Sequence, residues 1–246
     1  MKNLTDYIVE AYEYNYNISN APKYTSTGTD KVGINKTNNK TNYTVQPKNK
    51  DELSDIITNA FKNKQYDLNF IDTSKITDMS WLFEYISYNF DISNWDVSNV
   101  KDMTGMFYCC KKFDCDLSNW NVSNVTDMHA LFYECNKFTG KGLENWDVSA
   151  VTDMHYMFYK CKTFNCDLSN LDVSNVTNMD NMFSECKNFN CDLSNWNVSN
   201  VTNMDNMFDG CKKFNCDLSD WDISNITLWK NMFDGCNKKT IPNWYK

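Results

Sequence analysis

The sequence predicts an α/β repeat protein, a solenoid of about six to seven coils of about 25 residues each. Two columns of residues carry this prediction, because each recurs at steps of 25 or 26 residues. The first column is β-branched: Val100, Val125, Val151, Val176, Val201 and Ile226. The second column is aromatic: Phe107, Phe132, Phe158, Phe183, Phe208 and Phe233. A fixed period of this length is typical of stacked units that bury their apolar faces against their neighbours.

Length and charge narrow the possible functions. The chain has 246 residues and a net charge of −8, with 24 lysines and no arginine. Nucleic-acid-binding proteins cluster Lys and Arg on one face to displace counterions, so we expect no nucleic-acid partner. The sequence contains no run of the roughly 18 apolar residues that a membrane helix needs, which argues against membrane insertion.

The pattern divides the chain into four segments. Residues 1–16 form a short amphipathic segment, and residues 17–42, rich in Asn, Thr, Ser and Lys, form a flexible linker. Residues 43–70 form an N-terminal cap, in which apolar residues at helical spacing predict an amphipathic helix over about residues 50–64. Residues 71–246 form the solenoid and end in a C-terminal cap, because terminal repeats need one.

Each coil is expected to contain a short strand, a turn and a short helix. The pattern Leu117-x-x-Trp120-x-Val122 follows the strand signature of leucine-rich repeats, so we expect a leucine-rich-repeat-like solenoid with its strand there. The Ser-Asn pair that follows is a turn signal. Apolar residues three and four apart between Met128 and Cys135 predict a turn or two of helix.

One polar column is made of asparagines and is broken at Ala150. Its members are Asn99, Asn124, Asn175, Asn200 and Asn225. We expect these side chains to bond to one another and to the turn backbone, which is a structural role rather than a catalytic one.

Ten of the eleven cysteines fall into two columns. The first holds Cys110, Cys135, Cys161, Cys186, Cys211 and Cys236, and the second holds Cys115, Cys166, Cys191 and Cys216. The first column lies on the apolar face beside the phenylalanines, where free cysteine behaves as a small hydrophobe, so we expect buried reduced thiols. Disulfides and a metal site are the alternatives, although the Cys-x4-Cys spacing differs from the Cys-x2-Cys of zinc sites. For the second column, disulfides within a coil are left as an alternative.

The remaining chemistry-bearing residues give no active site. His129 and His155 are 26 residues apart and occupy equivalent positions in adjacent coils. They could chelate a metal across the stack, but the sequence offers no third ligand, and an exposed pair is favoured. No phosphate-binding glycine loop, nucleophile elbow or zinc-protease motif occurs, and every candidate acid recurs with the period. We therefore expect no enzyme, no catalytic or metal-binding residue and no cofactor.

The repeat Trp-Asp-Val-Ser-Asn-Val-x-x-Met-x-x-Met-Phe-x-x-Cys-x-x-Phe-x-x-Asp-Leu resembles that of BspA-like leucine-rich-repeat surface proteins, also known as the mycoplasma lipoprotein-associated repeat. The resemblance covers about residues 71–244. It implies a leucine-rich-repeat-like solenoid, often displayed on cell surfaces and used for adhesion or protein binding, and it carries over no catalytic residue. The sequence as it stands has no recognisable signal peptide, lipoprotein cysteine or wall anchor, so it predicts no localisation.

A second resemblance lies at the N-terminus. Residues 1–11, which include Ile8-Val-Glu10-Ala11, are similar to the capsid-targeting peptide of internal head proteins in large tailed phages. Such peptides are cut after a Glu that follows Leu or Ile by two residues, which makes Glu10 and Ala11 a possible processing site. The resemblance implies a phage-encoded protein that is packaged in the virion head and delivered to the host. An ordinary amphipathic start is the alternative.

The function that remains is binding. The expected strand alternates apolar residues with Ser, Asn and Asp, and a polar row of this kind suits recognition of a protein or a glycan. The possible binding face comprises Ser118, Asn119, Asn121, Asn145, Asp147, Asn170, Asp172, Asn195, Asn197, Asp220 and Asp222. We therefore predict a non-enzymatic, adhesion-type repeat protein, monomeric, that binds a protein or glycan partner through its strand face. The phage head protein is the second hypothesis, and a merely solvated polar face is the simpler alternative for these residues.

Overall fold

The computed structural model describes residues 43–237 and 241–245. The predicted segments 1–16 and 17–42, with the possible processing site at Glu10 and Ala11, lie outside the described residues. The phage head hypothesis therefore stays a prediction.

One α-helix lies in the described residues, α1 at Lys50–Lys62, where the sequence pattern predicts a helix. Asn49 precedes it, and the Asn49 side chain accepts a hydrogen bond from the Glu52 N–H at 2.9 Å. This bond satisfies one of the N–H groups that the start of a helix leaves unpaired. Two 3₁₀ helices, Leu143–Asn145 and Asn243–Tyr245, are the other helical elements in the described part of the chain.

Helix α1 lies against the first repeat. Its Leu53, Ile57 and Ala60 are buried in the common apolar core. The Phe61 ring contacts the Phe83 ring at a centroid distance of 6.3 Å. The helix therefore covers apolar surface at the N-terminal end of the repeats, as a capping element does.

Seven equivalent segments follow at intervals of 24 to 26 residues, and we call them ladder segments. They are residues 78–85, 102–109, 127–134, 153–160, 178–185, 203–210 and 228–235. An isolated parallel β-bridge joins the first residue of each to the first residue of the next. Two further bridges pair Val45 with Ile71 and Asp67 with Asp91. The pairing between repeats is therefore parallel and in register.

Backbone hydrogen bonds between ladder segments run in one direction. Four alternate N–H groups of segment 102–109 donate to carbonyl oxygens of segment 127–134 at 2.7–3.1 Å, and the pattern recurs down the chain. The intervening N–H groups bond within their own segment, as that of Met106 does to the Met103 carbonyl at 3.1 Å. Each ladder segment is therefore a run of tight turns. The first six segments donate to the next segment in the chain, and the last six accept from the segment before.

The strand and the helix that we expect inside each coil do not form, so both expectations are wrong. Residues 117–122 contain a turn instead of a strand, and residues 128–135 consist mostly of turns instead of a helix. The reason is that each ladder segment holds two residues of positive φ four apart, such as Tyr156 and Lys160 at 57° and 56°. A left-handed residue interrupts a right-handed helix. Consecutive turns nevertheless keep apolar residues three and four apart on one side, which is why the spacing suggested a helix.

The core consists of stacked columns of apolar side chains. Equivalent rings of the Phe107 column lie 5.3–5.8 Å apart from repeat to repeat. Each except Phe233 packs on a second phenylalanine of its own repeat, as Phe107 does on Phe113 at 4.2 Å. Indole N–H groups join the repeats as well: Trp196 donates to the Leu168 carbonyl at 2.9 Å. Leu171 occupies the tryptophan position in one repeat, where that donor is absent.

Candidate binding face

The eleven residues of the predicted binding face are all exposed. They lie on and beside the turns between ladder segments, because the expected strand does not form. We call the surface that they form the turn face.

Most turn-face side chains are engaged in the turns themselves. The Asn121 side-chain oxygen accepts hydrogen bonds from the N–H and hydroxyl of Ser123 at 3.1 and 2.7 Å. Asp147 accepts the same pair from Ser149 at 3.1 and 2.6 Å, and these bonds hold the pKa of Asp147 below its usual value. The serine N–H is bound in the same way by Asp172, Asn197 and Asp222. These residues stabilise turns, as Asx side chains commonly do.

Few turn-face side chains remain available to a ligand. Ser118 donates its hydroxyl to the Asp116 carboxylate, and Asn119 donates its amide to the Ser93 carbonyl at 3.3 Å. Four side chains form no hydrogen bond to another described residue: Asn145, Asn170, Asn195 and Asp220. The turn face therefore offers an interrupted row of polar groups rather than a continuous one.

The asparagine column joins neighbouring repeats through the backbone. Each side-chain amide donates to a serine carbonyl of the preceding repeat at 2.7–2.8 Å, as Asn175 does to Ser149 and Asn200 to Ser174. These asparagines therefore have the structural role that the sequence predicts. Ala150 cannot make the equivalent bond.

A different surface lies along the ladder segments, and sequence reasoning missed it. The third, fourth, seventh and eighth residues of each segment are mostly half-buried or exposed. We call the surface that they form the ladder face. Its third column is Ser80, Thr104, His129, His155, Asp180, Asp205 and Lys230. Its seventh column is Glu84, Tyr108, Tyr133, Tyr159, Ser184, Asp209 and Asp234. Residue type changes along these columns, whereas the phenylalanine column stays constant, and this contrast is the signal that could have revealed the surface.

Aromatic rings occupy the N-terminal half of the ladder face. Tyr133 stacks between Tyr108 and Tyr159, with ring centroids 4.4 and 4.7 Å away. Trp81 lies 5.6 Å from Tyr108 and is 42% exposed. Burial raises the pKa of Tyr133 to about 12, so its hydroxyl stays protonated and can donate a hydrogen bond at neutral pH. The rings form an aromatic strip in which Trp81 is exposed, Tyr133 and Tyr159 are half-buried and Tyr108 is buried.

Two histidines continue the strip. The His129 and His155 rings stack at 4.6 Å, and their Nδ1 atoms lie 2.8 and 2.6 Å from Oδ1 of Asp127 and Asp153. The hydrogen bond with Asp127 outweighs burial and raises the pKa of His129. In the residues that the structure describes, no group of three or more His, Cys, Asp or Glu side chains is placed to hold a metal ion.

The C-terminal half of the ladder face carries carboxylates instead of rings. Burial, followed by smaller effects that include the charge of Asp205, raises the pKa of Asp180. Burial and the neighbouring charges of Glu185 and Asp234 raise the pKa of Asp209. Burial is the larger cause of both shifts, and repulsion from the neighbouring carboxylates adds to it. The ladder face therefore changes from aromatic to acidic along the repeats.

Most of the chain matches one family of proteins. Residues 51–142 and 135–244 each match the family described as Mycoplasma protein of unknown function, DUF285. The chain belongs to the DUF285 family. The two tandem matches agree with a repeat protein of mycoplasma type. No curated protein and no solved structure is significantly similar to the chain. Within the described residues, no helix has both the length and the apolar character needed to cross a membrane.

The cysteines of this DUF285 protein are free thiols. In the first column, each Sγ donates to a phenylalanine carbonyl of the preceding repeat at 2.8–3.0 Å, as Cys186 does to Phe158. Five of these six cysteines are buried, and Cys236 is half-buried. The first column therefore contains the reduced thiols that the sequence predicts.

The second cysteine column also contains free thiols, and no bridge joins the two columns. Its members face carboxylates: Cys216 lies 3.3 Å from Oδ1 of Asp192, and Cys115 lies 3.7 Å from Oδ1 of Asp91. Burial, followed by the nearby charges, raises the pKa of Cys216 to about 11. These thiols are therefore protonated at neutral pH and are weak nucleophiles.

Proposed function

We propose that this DUF285 protein is a BspA-like, leucine-rich-repeat-like solenoid that binds a protein or glycan partner and catalyses no reaction. The proposed contact surface is the ladder face rather than the turn face. The observation that carries the proposal is the variation of residue type on the ladder face, set against constant core columns.

The ladder can tolerate this variation because its repeats are joined by backbone atoms. Most hydrogen bonds between ladder segments join N–H and C=O groups, and these bonds do not depend on the third and seventh side chains. The exceptions include Asp205, whose carboxylate accepts from the Lys230 N–H at 2.5 Å, and Thr104, whose hydroxyl lies 3.3 Å from Nδ1 of His129. A repeat stack can therefore keep its architecture while its surface changes from one repeat to the next.

The side chains on this surface are of the kind that binding surfaces use. Trp81 is 42% exposed, and the stacked Tyr108, Tyr133 and Tyr159 lie beside it. Tyr and Trp combine a large apolar area with a polar group, and they dominate the energetics of many interfaces. An ordered strip of rings also loses little conformational entropy when a partner binds.

A variant that removes three rings of the ladder face without new strain, and leaves Tyr108 and Tyr133 in place, can test the proposal. The changes are Trp81→Asn and Tyr156→Asn, with Tyr159→Ser. Each new residue already occurs in the same column: Asn181 shares the column of Trp81 and Tyr156, and Ser184 shares that of Tyr159. The intact chain and this variant are applied to protein and glycan arrays, and every specific partner is then measured by titration. Loss of about 2 kcal/mol or more of binding free energy is expected.

The matched control changes the turn face. Asn170→Lys and Asn195→Lys alter exposed side chains that form no hydrogen bond to a described residue. This control should keep full affinity. If it loses the partner while the aromatic variant keeps it, the turn face is the contact surface. If the intact chain has no specific partner on either kind of array, the proposal of a binding function fails.

A further inference from the structure

The ladder face already holds one lysine in a binding geometry. Lys160 Nζ lies 4.8 Å from the centroid of the Tyr159 ring and 3.2 Å from Oε1 of Glu134. An ammonium group that has both a ring face and a carboxylate gains from cation–π and ionic attraction together. Burial would lower the pKa of Lys160, but these two partners outweigh it and raise the pKa.

A second lysine reaches the same face from outside the ladder. Lys50, the first residue of helix α1, places Nζ 3.3 Å from Oδ1 of Asp78 and 2.6 Å from the hydroxyl of Ser80. Ser80 lies in the third column, which further along contains Asp180 and Asp205. An ammonium group supplied by another element therefore fits against this column.

In the C-terminal half, the third and seventh columns hold four carboxylates, and one lysine, Lys230, lies in the same column as Asp180 and Asp205. Among the described residues, no ammonium group lies within 4.0 Å of the carboxylates of Asp180, Asp205, Asp209 or Asp234. Burial raises the pKa of Asp180 and of Asp209, and repulsion from neighbouring carboxylates raises it further. A cation placed here would relieve that repulsion.

We propose that the acidic half of the ladder face docks a lysine- or arginine-rich segment of a protein partner, with the aromatic strip contacting apolar side chains beside that segment. This inference rests on the proposed binding function and specifies the class of partner. The charge of the surface and the positions of Lys160 and Lys50 are its basis. A polyanion such as a nucleic acid or a sulfated glycan would be repelled by the same carboxylates.

The test uses a short fluorescent peptide of alternating Lys and Ser, titrated with the full chain at low ionic strength. The ladder variant carries Asp180→Asn, Asp205→Asn and Asp209→Asn. The control variant carries Asp147→Asn, Asp172→Asn and Asp222→Asn on the turn face. It loses the same three charges, and Asn121 and Asn197 already occupy that column. Circular dichroism confirms that both variants are folded.

We expect the ladder variant to bind the peptide about tenfold or more weakly, from three lost ion pairs, and the control to lose less than about twofold. Equal weakening of both variants would mean a general attraction to an acidic protein, and would overturn the proposal. No weakening of either would overturn it too.

A second measurement does not depend on variants. Carboxyl carbon NMR titrations of the intact chain should give lower pKa values for Asp180 and Asp209 when the peptide is present, and unchanged values would contradict docking at this site. If the arrays identify an uncharged partner whose affinity does not change in the ladder variant, this inference is overturned, whereas the proposed binding function still stands.

Discussion

The substitution Ala150→Asn should stabilise the protein by restoring the broken asparagine column. Every asparagine of this column donates its amide to a serine carbonyl of the preceding repeat at 2.7–2.8 Å. By equivalence with Ser98 and Ser149, the acceptor for residue 150 is the Ser123 carbonyl. The new side chain would therefore join the repeats on both sides of the break.

The size of the gain follows from the environment of the bond. A side-chain hydrogen bond contributes a net free energy of folding of about 0.5–1.5 kcal/mol. The conformational entropy that an exposed asparagine loses when it is ordered offsets part of this gain. We expect a gain of about 0.5–1 kcal/mol. For a chain of this length, that corresponds to a rise in Tm of about 1–4 °C. Thermal unfolding followed by circular dichroism resolves such a shift.

Two further variants isolate the hydrogen bond. Ala150→Asp has nearly the same shape but no N–H donor, so it should give no gain. Asn175→Ala removes an existing bond to the Ser149 carbonyl and should lower the stability by a similar amount. Equal shifts from Ala150→Asn and Ala150→Asp, or no loss from Asn175→Ala, would refute the role that we assign to the column.

Four other predictions test the repeats. Leu171→Trp should raise the Tm by a few degrees, because it supplies an indole donor like those of the other repeats; a lower Tm would refute the equivalence. The Phe208 N–H donates to the Met232 carbonyl of the next segment at 2.9 Å, whereas the Phe233 N–H donates to no described residue. In hydrogen exchange, the Phe208 N–H should therefore exchange far more slowly than the Phe233 N–H. Equal rates would contradict the direction of the hydrogen bonds between ladder segments. The His129 pKa measured by NMR should lie above 6.5. The stability that His129 contributes is then fully present below pH 6.5 and is lost as the pH rises through the folded pKa. A measured pKa below 6.5 would mean that the protonated histidine destabilises the fold instead. Phe183→Ala should cost about 3–5 kcal/mol, measured by urea unfolding, and a cost below about 1 kcal/mol would mean that the core is not built as described.

The columns of the repeat could be predicted from the sequence because burial acts on every repeat alike. The period alone placed Phe183 and Cys186 in the core and the Asn175 side chain at the turn backbone. The amphipathic pattern placed helix α1, since its apolar residues recur at helical spacing and its polar residues face away from them.

The local conformation could not be predicted in the same way. Apolar residues three and four apart fit a helix and a run of turns equally well, and only the sign of φ separates them. A signal was present at the left-handed positions, where Gly105, Gly210 and Asn206 are residue types that adopt positive φ readily. Tyr156 and Lys160 at equivalent positions masked it, because neither residue type favours that conformation.

The two faces differ in what their side chains do for the fold, and this difference is one reason why we propose the ladder face as the contact surface. On the turn face, Asn121 and Asp147 hold the turns through their own oxygen atoms, so changing them to residues without an acceptor costs stability. On the ladder face, His155 and Tyr159 lie on segments that backbone atoms join to their neighbours, so many residue types can replace them without loss of a hydrogen bond between repeats. A contact surface must be free to match its partner, and the ladder face has more of that freedom than the residues that hold the turns, which supports our proposal that it is the contact surface.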